Sequence, residues 1–284
     1  MSGSKTAVLV SHSHPPQASE AVGRAASLAL EAGWRLVASP QERAKHGSAG
    51  EAIEVVDAPP ADAELCLVFG GDGSILFALR LFAGRRVPVF GVNYGTVGFL
   101  AAVESQDEED GLRRALAGDI EALSLPGIEV TTPHGPRLGF NDISFTREPH
   151  GRVAELTYGI AGEEVGHVRC DGLVVATPTG STGYNLANNG PILAWGVKGY
   201  VVSYIAPHTL TARALVVAPI DVLAVGNVGG RDPVDIAVDG EPVGQLEPGA
   251  EVEISFRGDM GTLAQLPGTS FYHRIREKFG HLAV

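Results

Sequence analysis

Near Leu125 the texture of the chain changes, and that change limits the folds open to it. Before it, short β-rich apolar runs alternate with stretches of helical spacing. The strands are Ala7–Val10, Trp34–Ala38, Leu65–Phe69 and Val87–Val92, with helices predicted from near Ala18 to Ala32 and from Ser74 to about Phe82. Strands and helices alternating in this way imply a parallel sheet with helices on both faces. After Leu125, strand patterns follow one another: Ile128–Thr131, Leu138–Thr146, Val153–Ile160, Val165–Arg169, Leu173–Ala176, Val201–Ile205, Leu215–Val217, Val222–Val225, Val234–Val238 and Val252–Phe256. Asp239-Gly240 has the chemistry of a hairpin turn. Ser270–Phe279 returns to helical spacing, with Phe271, Ile275 and Phe279 on one face. The predicted organisation is an α/β N-terminal domain with a Rossmann-like parallel sheet (1–124) and an all-β C-terminal domain (125–262). A final helix (263–284) returns to the first domain.

Within the first region, the buried run Leu65–Phe69 breaks at Gly70-Gly71, presents Asp72, and passes through Gly73 into a helix starting near Ser74. A strand, a glycine turn and a helix N-terminus together make an anion site, because glycines let the backbone approach a phosphate and the first helical N–H groups point at it. A carboxylate there is repelled by phosphate unless a cation or a hydroxyl proton intervenes. Such a carboxylate can handle Mg²⁺ or accept the proton of an attacking hydroxyl. Taken alone, the same residues equally describe a tight turn with an Asp cap. Phosphate sites in parallel sheets lie at the carboxyl ends of strands, where this turn falls. A second glycine loop, Gly91–Leu100, follows the next strand and is expected to flank it. The acidic run from Glu104 to Asp110 ahead of Arg113 and Arg114 suits a solvated helix.

Charge narrows the chemistry further. The formal net charge is −12, and Lys5, Lys45, Lys198 and Lys278 are the only lysines. This excludes a nucleic-acid or anionic-membrane surface as the expected partner. A chain so poor in lysine must neutralise phosphates with backbone N–H groups, a few arginines and a divalent metal, taken to be Mg²⁺. No apolar run reaches the length of a membrane span. Neither a signal peptide nor a Cys-x-x-Cys pair is read, so Cys66 and Cys170 are expected to be buried thiols in a cytoplasmic protein. His12 and His14 lack a third ligand nearby and read as loop residues, and no metal ligand is singled out. Neither the G-x-x-x-x-G-K-[ST] loop nor G-x-G-x-x-G occurs, so phosphate binding must rest on the 70–74 turn.

Two stretches after residue 125 carry more polar groups than a strand needs. Asn141-Asp142 interrupts an apolar strand, where adjacent side chains face opposite ways and one must find a buried partner. A turn or bulge is the plain alternative. Asp171–Asn185 reads DGLVVATPTGSTGYN: a buried strand, a hydroxyl-rich turn in which Ser181 or Thr182 can cap a helix, then Tyr184 and Asn185 placed to meet a base or ribose. His208, in APHTLTAR at 206–213, is either a satisfied structural histidine or a ligand contact.

GGDGS at 70–74, GVNYGTVGFL at 91–100, FND at 140–142, DGLVVATPTGSTGYN at 171–185 and PHTLTAR at 207–213 stand in the order and spacing of bacterial NAD kinases, and the chain resembles that family over nearly its whole length. The GGDG turn is shared with lipid kinases and phosphofructokinases, whereas the ATPTGSTGYN stretch with its upstream Asn-Asp is specific. The resemblance implies transfer of the γ-phosphoryl of Mg-ATP, or of polyphosphate in some members, to the 2′-hydroxyl of the adenosine ribose of NAD, giving NADP. It implies that Asp72 is the catalytic aspartate and that Gly71, Gly73 and Ser74 approach the phosphates. Phe99 would border the adenosine pocket, Asn141 and Asp142 would hold that end of the substrate, and Thr182 and Tyr184 would contact adenine. Asp171 would meet the nicotinamide side, often across a subunit boundary. Thr179, Gly183 and Ala206 complete the expected binding set. Family members are homodimers or homotetramers built through the β domain. The chain departs from the usual pattern at Ser74, Val97, Gly183 and Ala214, none of which removes a reactive group. A lipid or sugar kinase sharing the turn, and a non-catalytic nucleotide sensor, are the alternative readings.

Overall fold

The apolar runs of the N-terminal region become strands buried on both faces, as a sheet covered by helices requires. The computed structural model describes residues 4–12, 18–95, 98–229 and 231–280. It divides into two units, Met1–Ser124 with Gly261–Val284, and Leu125–Met260.

The first unit runs β1 (Lys5–Ser11), α1 (Ala18–Glu31), β2 (Trp34–Ala38), α2 (Pro40–Ala44), β3 (Glu54–Val55), β4 (Ala63–Gly70), α3 (Asp72–Leu81), β5 (Pro88–Asn93), β6 (Val103–Glu104) and α4 (Glu108–Ala117). The sheet order is β3-β2-β1-β4-β5, followed by Thr262–Ala264 of a later strand, and every pair is parallel. The chain therefore leaves β1 in one direction and β4 in the other. The switch point between these two strands is where open α/β sheets leave a crevice at their carboxyl ends. Ala21, Val22, Ala25, Leu28 and Ala29 lay one face of α1 on a core with Leu9, Leu36, Leu67 and Phe69. Small residues at this spacing let the helix lie close to the sheet.

The second unit holds β7 (Glu121–Thr132), β8 (Gly135–Gly139), β9 (Asp142–Arg147), β10 (Ala154–Ile160), β11 (Glu163–Cys170), β12 (Gly172–Ala176), α5 (Tyr184–Ala187), β13 (Tyr200–Ile205), β14 (Leu215–Val217), β15 (Leu223–Asn227), β16 (Val234–Val238) and β17 (Glu241–Leu246). β18 (Glu251–Gln265) and α6 (Phe271–Phe279) close the chain. One sheet is ordered β14-β13-β12-β9-β16-β17 and the other contains β11-β10-β15 with the first residues of β18. Phe145, Leu173 and Val202 of one sheet share an apolar core with Leu156, Val225 and Ile254 of the other, which makes a β-sandwich.

The structure corrects several element boundaries. The predicted strand Leu138–Thr146 is two strands, because the N–H groups of Phe140, Asn141 and Asp142 turn to the carboxylate of Asp239. The helix expected from Glu104 starts at Glu108, because Val103 and Glu104 pair with β5. Residues 39–50, whose sequence reads as a polar loop or weak helix, hold the short α2, capped by the Ser39 hydroxyl, and a 3-10 turn. β17 escapes the pattern because its strand is largely exposed and does not alternate. Cys66 and Cys170 are buried free thiols.

Candidate functional site

At the end of β4, Gly71 is the N-cap of α3 without any side-chain cap, and Asp72 is the first helical residue. The Asp72 carboxylate does not cap its own helix. It reaches across to the second glycine loop, accepting the Phe99 N–H at 3.1 and 2.9 Å on its two oxygens and the Leu100 N–H at 3.0 Å. The two loops touch: a Cβ on Gly95 would come within 3.1 Å of the Gly71 Cα. Val97 and Thr96 lie outside the described residues, as does His14. Ser74 packs its hydroxyl against Gly70, and no side chain crowds Gly73, whose backbone is open to an approaching group. His12 extends the end of β1 beside this turn, its N–H on the carbonyl of Phe69 at 2.9 Å. Burial raises the Asp72 carboxyl above the ordinary carboxylate range. The two backbone N–H groups and the charges of Arg274 and Lys278 hold that rise back.

In the β-sandwich, Asn141 and Asp142 sit at the break between β8 and β9. The Asp239-Gly240 turn, with φ of 49° and 80°, aims the Asp239 carboxylate at three successive N–H groups: Phe140 at 3.1 Å, Asn141 at 2.7 Å and Asp142 at 3.3 Å. The carbonyls of Phe140 and Asn141 accept from the Thr177 hydroxyl and the Thr177 N–H, at 2.5 and 2.9 Å. Gly180 then packs so closely on this peptide that a Cβ would lie 2.1 Å from the Asn141 carbonyl oxygen. The Asn-Asp pair and the ATPTGST turn are thus one assembly, although Asn141-Asp142 and Ala176–Thr182 are far apart in sequence. Inside it, the Asn141 Oδ1 and the Thr179 hydroxyl are buried without a hydrogen-bond partner. Unpaired buried polar atoms are costly, and a ligand is one way to satisfy them. Burial, with the nearby Asp239 charge, pushes the Asp142 carboxyl up to about 7. Tyr184, 40 % exposed, opens α5, and burial together with Asp142 and Asp171 raises its hydroxyl.

Neither Ser181 nor Thr182 caps α5; the Ser181 hydroxyl bonds Pro178 and Leu193 and the Thr182 hydroxyl the Thr179 carbonyl. Asn185 is buried, its amide N–H donating to the carbonyls of Ser181 and Pro191 while its Oδ1 has no hydrogen-bond partner. Gly183 is exposed beside Tyr184. Asp171, at the other end of β12 from Thr177, lines a cavity of about 770 Å³ together with Arg147, Arg152, Arg169, His208 and Arg231. Arg147 holds its carboxylate at 2.6 Å. Asp171 also donates its N–H to Ile205, next to Ala206, which is held in the left-handed region at φ 43°. His208 donates its N–H to Arg169.

Comparison with known proteins decides the family. Residues 18–120 match the ATP-NAD kinase N-terminal domain and residues 140–259 the ATP-NAD kinase C-terminal domain. A NAD kinase of Burkholderia pseudomallei is 31 % identical over 278 residues, 96 % of this chain and 92 % of its own. One of Gemmatimonas aurantiaca is 35 % identical over 229 residues, 78 % of each chain. The chain belongs to the NAD kinase family.

Solved structures share the NAD kinase fold. Yeast NADH kinase complexed with NADH superposes with a TM-score of 0.85 at 20 % identity, covering 99 % of this chain and 89 % of that one. A NAD kinase from Archaeoglobus fulgidus in complex with ATP gives 0.71 at 22 %, covering 97 % of both. Three groups of polar residues organise the site of this NAD kinase without standing out in its sequence. Asp239 holds the Asn-Asp backbone, Thr177 joins it to the hydroxyl-rich turn, and Gln265 and Arg274 bond the carbonyls of Leu100 and Phe99. The turn chemistry of Asp239-Gly240 was a signal for the first, Thr177 lies in the hydroxyl-rich stretch and Arg274 in the closing helix that shares the resemblance; Gln265 carries no signal.

Proposed function

We propose that this NAD kinase transfers the γ-phosphoryl of ATP to the 2′-hydroxyl of the adenosine ribose of NAD, producing NADP, with Asp72 as general base. The observation that carries the assignment is the Asp72 carboxylate. It stands at a helix N-terminus on the switch-point edge of a parallel sheet, ringed by glycine backbone and tilted by burial toward holding a proton. As the 2′-oxygen forms its bond to the γ-phosphorus, the hydroxyl proton passes to the Asp72 carboxylate. The bond between that phosphorus and the β–γ bridging oxygen breaks, and ADP leaves with the electron pair. Three N–H bonds fill most of the carboxylate's roughly four lone-pair positions, so its reactive position is narrowly defined. Gly71, Gly73 and Ser74 would bind the phosphates through open backbone and hydroxyl. Phe99 borders the adenosine end. Asn141, Asp142, Thr179, Thr182, Gly183 and Tyr184 receive adenosine, the unpaired Asn141 and Thr179 oxygens supplying its polar contacts. Asp171 and Ala206 serve the far half of the dinucleotide.

Mg²⁺ fits this donor set only as a companion of the nucleotide. Among the described residues no three His, Cys, Asp or Glu side chains converge on a point. Mg²⁺ commonly rests on one or two carboxylates plus substrate phosphates, and Asp72 would supply the carboxylate. When bound, the ion neutralises charge on the donor phosphates. Exposed Leu210, Leu215, Val216 and Ile220 support a homo-oligomer built through the β-sandwich. The two free thiols support a reducing, cytoplasmic setting.

The test is Asp72→Asn, which keeps size and removes the base. The expected result is a kcat lower by roughly 10²- to 10⁴-fold in an NADP-specific coupled assay, with Kd for NAD nearly unchanged by calorimetry. A loss of less than about tenfold would assign the proton to another group, with Asp142 the first to examine.

A further inference from the structure

The peptide of Phe99 and Leu100 is gripped from both sides. Its N–H groups go to Asp72, as described. Its carbonyls go to two buried side chains: Phe99 O accepts from Arg274 Nη1 at 3.2 Å, and Leu100 O accepts from Gln265 Nε2 at 3.0 Å. The grips are joined, because Arg274 Nη2 donates to Gln265 Oε1. Arg274 is 7 % exposed and Gln265 4 %. A buried guanidinium is expensive unless its bonds are made, and here they are made to the loop that holds the proposed base. The same helix, α6, sets Phe279 against the Phe99 ring in a tilted arrangement, with the centroids 5.5 Å apart. It also sends Lys278 to Glu104 at 3.3 Å, and Glu104 in turn accepts from the Asn93 amide at the start of the loop. One helix therefore meets the second glycine loop at Phe99 and is linked through Glu104 to Asn93.

We propose that Arg274 is a positioning residue for phosphoryl transfer: by holding the carbonyl side of Phe99–Leu100, with Gln265, it fixes the N–H side that orients the Asp72 carboxylate. This rests on Asp72 being the base. The charged groups facing Asp72 are Arg274 and Lys278 of α6, with Glu104 paired to Lys278 and Glu277 beside Arg274. His12 lies along the neighbouring strand end.

The experiment compares Arg274→Met, Arg274→Lys and Gln265→Met with the parent and with Asp72→Asn, at a temperature where melting curves show each to be folded. A misplaced catalytic group costs rate, so kcat of Arg274→Met should fall between about 10- and 100-fold while KM for NAD and for ATP stays within about twofold. Arg274→Lys should recover part of the rate, and Gln265→Met should lower kcat at unchanged KM. Added to Asp72→Asn, Arg274→Met should cost little more, since there is no base left to orient. A merely structural arginine predicts lower melting temperatures with parental kcat, and that outcome overturns the proposal. If both Arg274 variants fail to fold, Gln265→Met decides: reduced kcat at unchanged KM supports the clamp, parental kcat overturns it. An active Asp72→Asn enzyme would instead sink the base assignment itself, so the two failures are told apart.

Discussion

At the scale of single residues the site is built from carboxylates whose titration is set by their neighbours. Asp142 shows this most clearly. Its carboxyl is pushed to about 7 by burial and by Asp239, against an ordinary value near 4 in the unfolded chain. A carboxyl whose folded value is raised contributes its stability below the unfolded value and loses it as pH climbs through the folded one. Asp142→Asn removes the charge and keeps the size. The variant should therefore gain stability over the parent progressively between about pH 4 and pH 7, by a few kcal/mol at most, and the gain should level off above. Melting temperatures of both proteins at a series of pH values check this. A difference that is the same at pH 4.5 and pH 8.5 would mean that Asp142 is not the group being desolvated.

At the scale of elements, the decisive contacts join segments that no local pattern connects. The glycine turn at 70–74 was legible because strand, turn and helix start fall within a few consecutive residues, each carrying its own signal. The polar pair Asn141-Asp142 was visible as an interruption of an apolar run, yet the reason for the interruption was not. It lies in Asp239, 98 residues from Asn141, and nothing in the sequence around Asn141 points to it. Gln265 is harder still, since it ends a strand and looks like a surface residue until the fold buries it; Arg274 was visible in the closing helix, but its burial was not. Boundaries failed for a related reason, since β6 is a strand only because β5 is there to pair with it. The contact of the hydroxyl-rich turn with the Asn-Asp peptide makes a sharp prediction. Gly180→Ala places a Cβ against backbone, which cannot swing aside, and the two segments must separate. Stability should fall by about 1–3 kcal/mol, with KM for NAD raised as well. Chemical denaturation and the coupled assay measure the two effects. An unperturbed variant would show that the peptide and the turn are not in contact.

At the scale of the whole molecule, the chain is an α/β unit with a β-sandwich inserted into it. Thr262–Ala264 complete the parallel sheet beside β5, and Gln265 and Arg274 complete the grip on the second glycine loop. All of these come from the last residues of the chain. On a ribosome, the first unit is therefore unfinished when Ser124 emerges and stays so until Gly261 follows. At about 5–20 residues per second, that interval is on the order of 7 to 30 seconds. During it the Pro88–Phe90 part of the β5 edge lacks its partner, β6 pairing only with Val92 and Asn93, and an open edge is a template for wrong pairing. Stalled nascent chains ending after residue 124 should be cleaved rapidly by a protease, whereas chains long enough to expose residue 280 should resist. The inserted sandwich has no such debt for most of its strands, and its protection should come first. Equal resistance of the short and long stalled chains would show that the N-terminal strands hold together without the tail. Otherwise this enzyme gains its proposed base early in synthesis and the groups that aim it almost last.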